Sequence, residues 1–65
     1  MNGQIQTVMP GKGFCFIRGE DGVEYFAHRS AFLGVAFETV RNGQRVTFEP
    51  TRGPKGPRAE QVRLA

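Results

Sequence analysis

Aromatic and basic residues recur at every second position in two short stretches of this chain. Phe14 and Phe16 stand in the run Lys12-Gly13-Phe14-Cys15-Phe16-Ile17, and Phe26 and His28 in the run Tyr25-Phe26-Ala27-His28. Lys12 and Arg29 flank them. Alternate residues of an extended strand point to one side, so each run would carry flat rings in a row beside positive charge. That combination suits unpaired nucleic-acid bases. A base stacks on an aromatic ring for ~1–3 kcal/mol whatever its identity, while cations hold the phosphates.

These residues need a hairpin to bring them together. The turn-forming stretch Gly19-Glu20-Asp21-Gly22 separates the two runs, and a turn centred there joins them as antiparallel strands. Pairing residues whose numbers add to about 42 sets Phe16 opposite Phe26 and Phe14 opposite His28. Alternation alone does not say which face is the core. In one arrangement Cys15, Ile17, Tyr25 and Ala27 face inward and the Phe row faces out. In the other the Phe row is the core. Two observations favour the first: outward Cys15 and Ile17 make a poor solvent face, and Lys12 and His28 share the parity of the phenylalanines yet do not belong in a core. An outward row of three rings is the kind of apolar patch that soluble proteins keep for binding.

The rest of the chain reads as all-β. Nine Gly and four Pro punctuate it, and no stretch sustains a helical apolar period. Five short strands are predicted, over residues 4–9, 13–17, 23–27, 45–49 and 59–64. Val46 and Phe48 alternate with polar neighbours in the fourth, and Val62 and Leu64 in the fifth. Residues 52–57 read as a loop and residues 30–40 as the longest connection, where Ser30 is placed to cap one helical turn. Phe32 and Phe48 are expected in the core, and Tyr25 with its hydroxyl at the rim. Strands at this spacing suggest a small barrel, whose closure leaves no exposed edge.

Composition bounds the function. Sixty-five residues support one small core, and a single domain over 1–65 is expected. Nine basic against six acidic residues give a net charge of +3, and seven of the nine are arginine, which binds phosphate bidentately and stacks on flat rings. One cysteine allows no internal disulfide, which is consistent with a reducing compartment and a cytoplasmic location. The longest apolar run, residues 31–37, contains Gly34 and is far short of the ~20 residues of a membrane helix. The opening Met1-Asn2-Gly3-Gln4 has no leader-like character. Ser30 and His28 lack a nucleophile–base–carboxylate constellation. Gly11-Lys12-Gly13 lacks the Walker pattern, and the acidic tip at Glu20, Asp21 and Glu24 reads as a solvated turn rather than a metal site. Cys15 reads as a small buried hydrophobe. Neither an enzyme nor a cofactor is expected.

The motifs also carry a resemblance. Residues 12–17 resemble the first ribonucleoprotein motif of cold-shock domains, Lys-Gly-Phe-Gly-Phe-Ile, and residues 25–28 resemble the second, Val-Phe-Val-His. Ser30-Ala31, Gly43-Gln44-x-Val46-x-Phe48-Glu49 and Lys55-Gly56-Pro57-x-Ala59-x-x-Val62 are similar to the stretches that follow in that family. The resemblance covers essentially the whole chain. It implies a five-stranded antiparallel OB-fold barrel that binds single-stranded RNA or DNA, as an RNA chaperone or transcription antiterminator. By position it implies base stacking by Phe14, Phe16, Phe26, His28 and Phe37, with Lys12, Lys55 and Arg58 contacting the strand or its phosphates.

The chain departs from the family pattern in informative places. The first strand usually carries Lys-Trp-Phe-Asn; here it reads Gln6-Thr7-Val8-Met9, and the chain has no Trp. Arg29 replaces the usual Phe after the histidine, and it can contribute a cation–π or phosphate contact of its own. Cys15 replaces the Gly between the two motif phenylalanines. The expectation is binding that is weaker, shorter and more salt-dependent than that of a typical member, by a monomer with no membrane or small-molecule partner. The missing rings also motivate an alternative, a cold-shock fold reused as a protein-interaction module.

Overall fold

The computed structural model describes residues 1–65. Five strands form it: β1 (Asn2–Met9), β2 (Phe14–Gly19), β3 (Glu24–His28), β4 (Arg45–Gly53) and β5 (Gly56–Leu64). Two single 3-10 turns, Arg29–Ala31 and Phe37–Thr39, lie between β3 and β4. The strands close into a barrel in the order β1-β2-β3-β5-β4, with β4 returning to β1. No helix is long and apolar enough to cross a membrane.

The expected all-β, five-stranded barrel is found, and four of its five seams are antiparallel. The β1–β2, β2–β3, β4–β5 and β1–β4 seams are antiparallel, whereas β3–β5 is parallel and joins at Phe26 and Arg58. Five strands cannot alternate direction all the way round a closed ring, so at least one seam must be parallel. It falls where the contact is shortest.

Pleat alternation fills the interior. Ile5, Cys15, Ile17, Ala27, Val46, Ala59 and Val62 are completely buried, and Tyr25 and Phe48 nearly so, their rings 5.0 Å apart. Two strands break strict alternation to keep this up. The β1–β2 register shifts between Ile5 and Val8, and the β4–β5 register shifts between Thr47 and Glu49. Each bulge inserts one extra residue and bends its strand around the barrel. On β5 the break coincides with Gln61, at φ 50°. Ala59 and Val62, three residues apart, therefore both point inward, and Leu64 lies exposed at the end of β5.

The connection after β3 closes one end of the barrel. Phe32 bridges to Val62 in parallel, and Ala31, Phe32, Phe37 and Val40 join the core. The first 3-10 turn is capped by His28 rather than Ser30, because the His28 ring accepts the Ser30 N–H. The stretch 52–57 expected as a loop is mostly ladder: Arg52 pairs with Pro57 and Gly53 with Gly56, leaving Pro54 and Lys55 as the turn. Gly56 at φ 121° makes this tight tip possible.

At the β2–β3 tip the Tyr25 hydroxyl donates to Asp21 Oδ2 at 2.6 Å, and the Val23 N–H donates to Oδ1 at 3.0 Å. The Tyr25 bond first, and the Val23 bond next, hold the Asp21 carboxyl below its ordinary pKa, while the same bond pushes the Tyr25 phenol up. The carboxylate therefore stabilises the fold above the ordinary carboxylate range, and that contribution is lost as pH falls through the depressed value. The phenol's contribution is present below its ordinary pKa and is lost as pH rises through the raised one. Asp21→Asn is expected to lower the thermal midpoint at neutral pH and to flatten its decline toward acid; an acid profile identical to wild type would contradict this.

Gly3 sits between two seams, pairing with Gly19 on β2 and Val46 on β4. A Cβ there would lie 2.7 Å from Ile17 Cγ2, 2.8 Å from the Arg18 carbonyl oxygen and 2.8 Å from Phe48 Cε1. Gly3→Ala is expected to destabilise the barrel by ~1–3 kcal/mol in denaturant titration, the range for overpacking. An unchanged midpoint would mean that the strands separate more easily than this packing implies.

Candidate functional site

The hairpin register is Phe14 with His28 and Phe16 with Phe26, with Cys15 opposite Ala27 and Ile17 opposite Tyr25 on the other face. The inward face is buried, and Phe14, Phe16, Phe26 and His28 are each half-buried on the outside. The three rings hold one another in place. Phe14 lies 5.8 Å from Phe16, edge-on at 81°, and 5.2 Å from Phe26, tilted at 36°; Phe16 lies 6.0 Å from Phe26 at 73°. These spacings are those of favourable aromatic pairs, so the rings form a platform whose outer surfaces remain open.

His28 extends the platform in a fixed orientation. Its Nδ1 accepts the Ser30 N–H at 3.1 Å, and Ser30 Oγ lies 2.9 Å away. With Nδ1 as the acceptor, the neutral ring carries its proton on Nε2, which makes that nitrogen a donor.

On the far side of Phe26 the parallel seam delivers Arg58. Its guanidinium carbon lies 5.7 Å from the Phe26 ring centroid, and Nη2 is 3.4 Å from Glu60 Oε2. Its Nε is buried without a hydrogen-bond partner. Phe16, Phe26 and residues 54–58 line a cavity of about 530 Å³ beside it. Lys55 is exposed at the β4–β5 tip, and Lys12 is exposed in the turn before Phe14. The hairpin and the β4–β5 tip thus bring Phe14, Phe16, Phe26, His28, Lys55 and Arg58 into one region, with Lys12 in the turn that leads into Phe14.

Two expected site residues are placed differently. Arg29 is exposed, but its Nη2 pairs with Glu38 Oε2 at 3.3 Å, tying the first 3-10 turn to the second. Phe37 is only 6% exposed, with its ring 5.4 Å from Phe32 and edge-on at 70°. It is not a free stacking ring here. A barrel this small needs the apolar residues of its longest connection to close its end, and Phe37 serves that purpose.

The first strand offers no aromatic surface. Thr7 and Met9 are exposed and Val8 is half-buried, and Met9 sits across the seam from Phe14. Cys15 fits inside with its pairing to Ala27 in regular register, and burial pushes its thiol up to about 11, which leaves it a poor nucleophile. Sequence reasoning missed Glu60 as the partner of Arg58 and the capping role of the His28 ring. The first depends on a bulged β4–β5 ladder and the second on the chain turning sharply after β3; neither leaves a periodic signal.

Known proteins resemble this chain over nearly its whole length. The family model described as "'Cold-shock' DNA-binding domain" matches residues 1–65. Cold shock protein 2 of Lactiplantibacillus plantarum is 43% identical over 61 residues, covering 94% of this chain and 92% of that protein. Cold shock-like protein CspE of Escherichia coli K12 is 44% identical over 63 residues, covering 95% and 91%. Cold shock-like protein CspA of Stigmatella aurantiaca is 45% identical over 62 residues, covering 94% and 91%.

The opposed placements of Phe37 and Phe14 have separable consequences. Phe37→Ala is expected to destabilise the fold by ~3–5 kcal/mol, as a buried ring does, while Phe14→Ala leaves the thermal midpoint much closer to wild type. Equal, small losses from both would contradict the buried position of Phe37.

Proposed function

This chain belongs to the 'Cold-shock' DNA-binding domain family, and we propose that it binds single-stranded nucleic acid by stacking bases on Phe14, Phe16, Phe26 and His28. The observation that carries this reading is the outward triad of mutually braced rings on β2 and β3. Keeping three rings half in water forgoes burial worth ~1.5–3 kcal/mol for each fully buried side chain, and stacking by ligand bases recovers it. Lys12 and Lys55 stand free at either side to meet phosphates, and Arg58 stacks against Phe26 where a base would extend the pile. In this reading Arg29 joins them once a phosphate competes with Glu38, an exchange that costs little because exposed ion pairs are worth only ~0–1 kcal/mol.

The module acts in this reading as a cytoplasmic monomer on RNA, keeping strands unpaired in the manner of an RNA chaperone or transcription antiterminator. It does no chemistry on its ligand. The platform is short, because β1 supplies no ring and Phe37 is turned inward. With each missing base stack worth ~1–3 kcal/mol, affinity rests more on charge and falls more steeply with salt.

Titration of a labelled oligothymidine by fluorescence anisotropy tests the reading. Binding is expected at low salt and strong weakening at high salt; tight binding indifferent to salt, or none at low salt, would contradict it. The double substitution Phe14→Ala/Phe26→Ala is expected to abolish binding while the circular dichroism spectrum keeps its β signature. Retained affinity in that variant would remove these rings from the interface.

A further inference from the structure

Away from the aromatic platform, the barrel brings together two arginines distant in sequence. Gln4 is the cross-strand partner of Arg18 on β2 and of Arg45 on β4. Arg18, Gln4 and Arg45 therefore form one row across three strands, all exposed on the outer surface. With adjacent strands ~4.7–4.9 Å apart, the two arginine backbones stand about 10 Å apart. The adjacent inward row on β1 and β2 is Gly3 and Gly19, and a groove of about 440 Å³ lies here.

The charges in this groove are unspent. The ion pairs of the molecule are Arg29–Glu38 and Arg58–Glu60, and neither involves Arg18 or Arg45. Arg18 faces Glu24 across the β2–β3 seam, yet its Nη1 reaches the Gly22 carbonyl at 3.4 Å instead. Glu20 also lines the groove, and its Oε1 accepts the Asn2 N–H at 3.2 Å. Gln4 is held by donating its side-chain amide to the Gly43 carbonyl at 3.0 Å. Arg63, partner of Thr47 in the next row, adds a third cation on this side.

Along β2 the groove lies next to the platform. Phe14, Phe16 and Arg18 are successive outward positions of β2, spaced about 6.5–7 Å apart. A strand stacked on the two rings meets Arg18 at the next position. We infer that the Arg18–Gln4–Arg45 row is a phosphate-binding groove. It takes the sugar–phosphate backbone of the same single strand beyond its stacked bases and lengthens the footprint past the aromatic face. This rests on the nucleic-acid-binding reading above. The contact is sequence-independent, since arginine grips phosphate oxygens through paired donors and reads no base.

Two oligothymidines separate this inference from the reading it rests on, one of about four nucleotides and one of about twelve, lengths within the range of OB-fold sites. Both are titrated against wild type and Arg18→Ala/Arg45→Ala over a range of salt. For the longer strand the variant's slope of log affinity against log salt is expected to fall by about 1.4, two phosphates at ~0.7 each. Wild type's advantage then shrinks about sevenfold between roughly 50 and 200 mM salt. The short strand is expected to bind both proteins alike, with equal thermal midpoints, and Arg18→Lys/Arg45→Lys is expected to restore most of the slope. A wild-type slope in the Ala variant on the longer strand, or equal losses on both lengths, would overturn the groove and leave the aromatic reading standing. Failure of wild type to bind either strand would overturn both.

Discussion

A closed ring of five short strands has one interior, and every other feature of this molecule follows from filling it. Thirteen buried hydrophobic side chains form the core. Most come from one face of each strand, and the remainder from the connection between β3 and β4. Because the pleat sends alternate residues to opposite sides, committing Cys15, Ile17, Tyr25 and Ala27 to the interior commits Phe14, Phe16, Phe26 and His28 to the exterior. The aromatic face is thus a geometric consequence of the core. It persists because the rings brace one another at 5.2–6.0 Å.

The same closure explains what surrounds the platform. An odd ring needs a parallel seam, and that seam places Arg58 over Phe26. The small ring also needs a plug at its end, and the plug recruits Phe37 while the Arg29–Glu38 pair ties the two turns together. Site and scaffold therefore compete for the same residue types. This chain has put one ring more into the scaffold than its family resemblance implies, and with no ring on β1 it carries a compact aromatic surface near Arg58 and Lys55.

Much of this was legible in the residues. The β2–β3 register and the inward set on that hairpin follow from alternation and one turn, and the two motifs follow from local order and spacing. What was not legible depends on contacts distant in sequence. The bulges at residues 5–8 and near Gln61 change strand parity without a Gly or Pro to mark them. The β4–β5 ladder runs through a stretch whose Gly and Pro content reads as loop. Phe37 has the same local pattern whether it plugs the barrel or stands free, and only the shortage of core material decides. Arg18 and Arg45 meet only through Gln4, the partner of each on opposite edges of β1.

The central claim is that one face of the β2–β3 hairpin is core and the other is the binding platform. Side-chain NMR during titration with a short oligothymidine at low salt tests it most directly. The ring and imidazole resonances of Phe14, Phe16, Phe26 and His28 are expected to move together toward saturation. The inward methyl groups of Ile17 and Ala27, and the ring of Phe37, are expected to stay nearly still. Shifts concentrated on the inward set, or on Phe37 with the hairpin rings unmoved, would contradict the account.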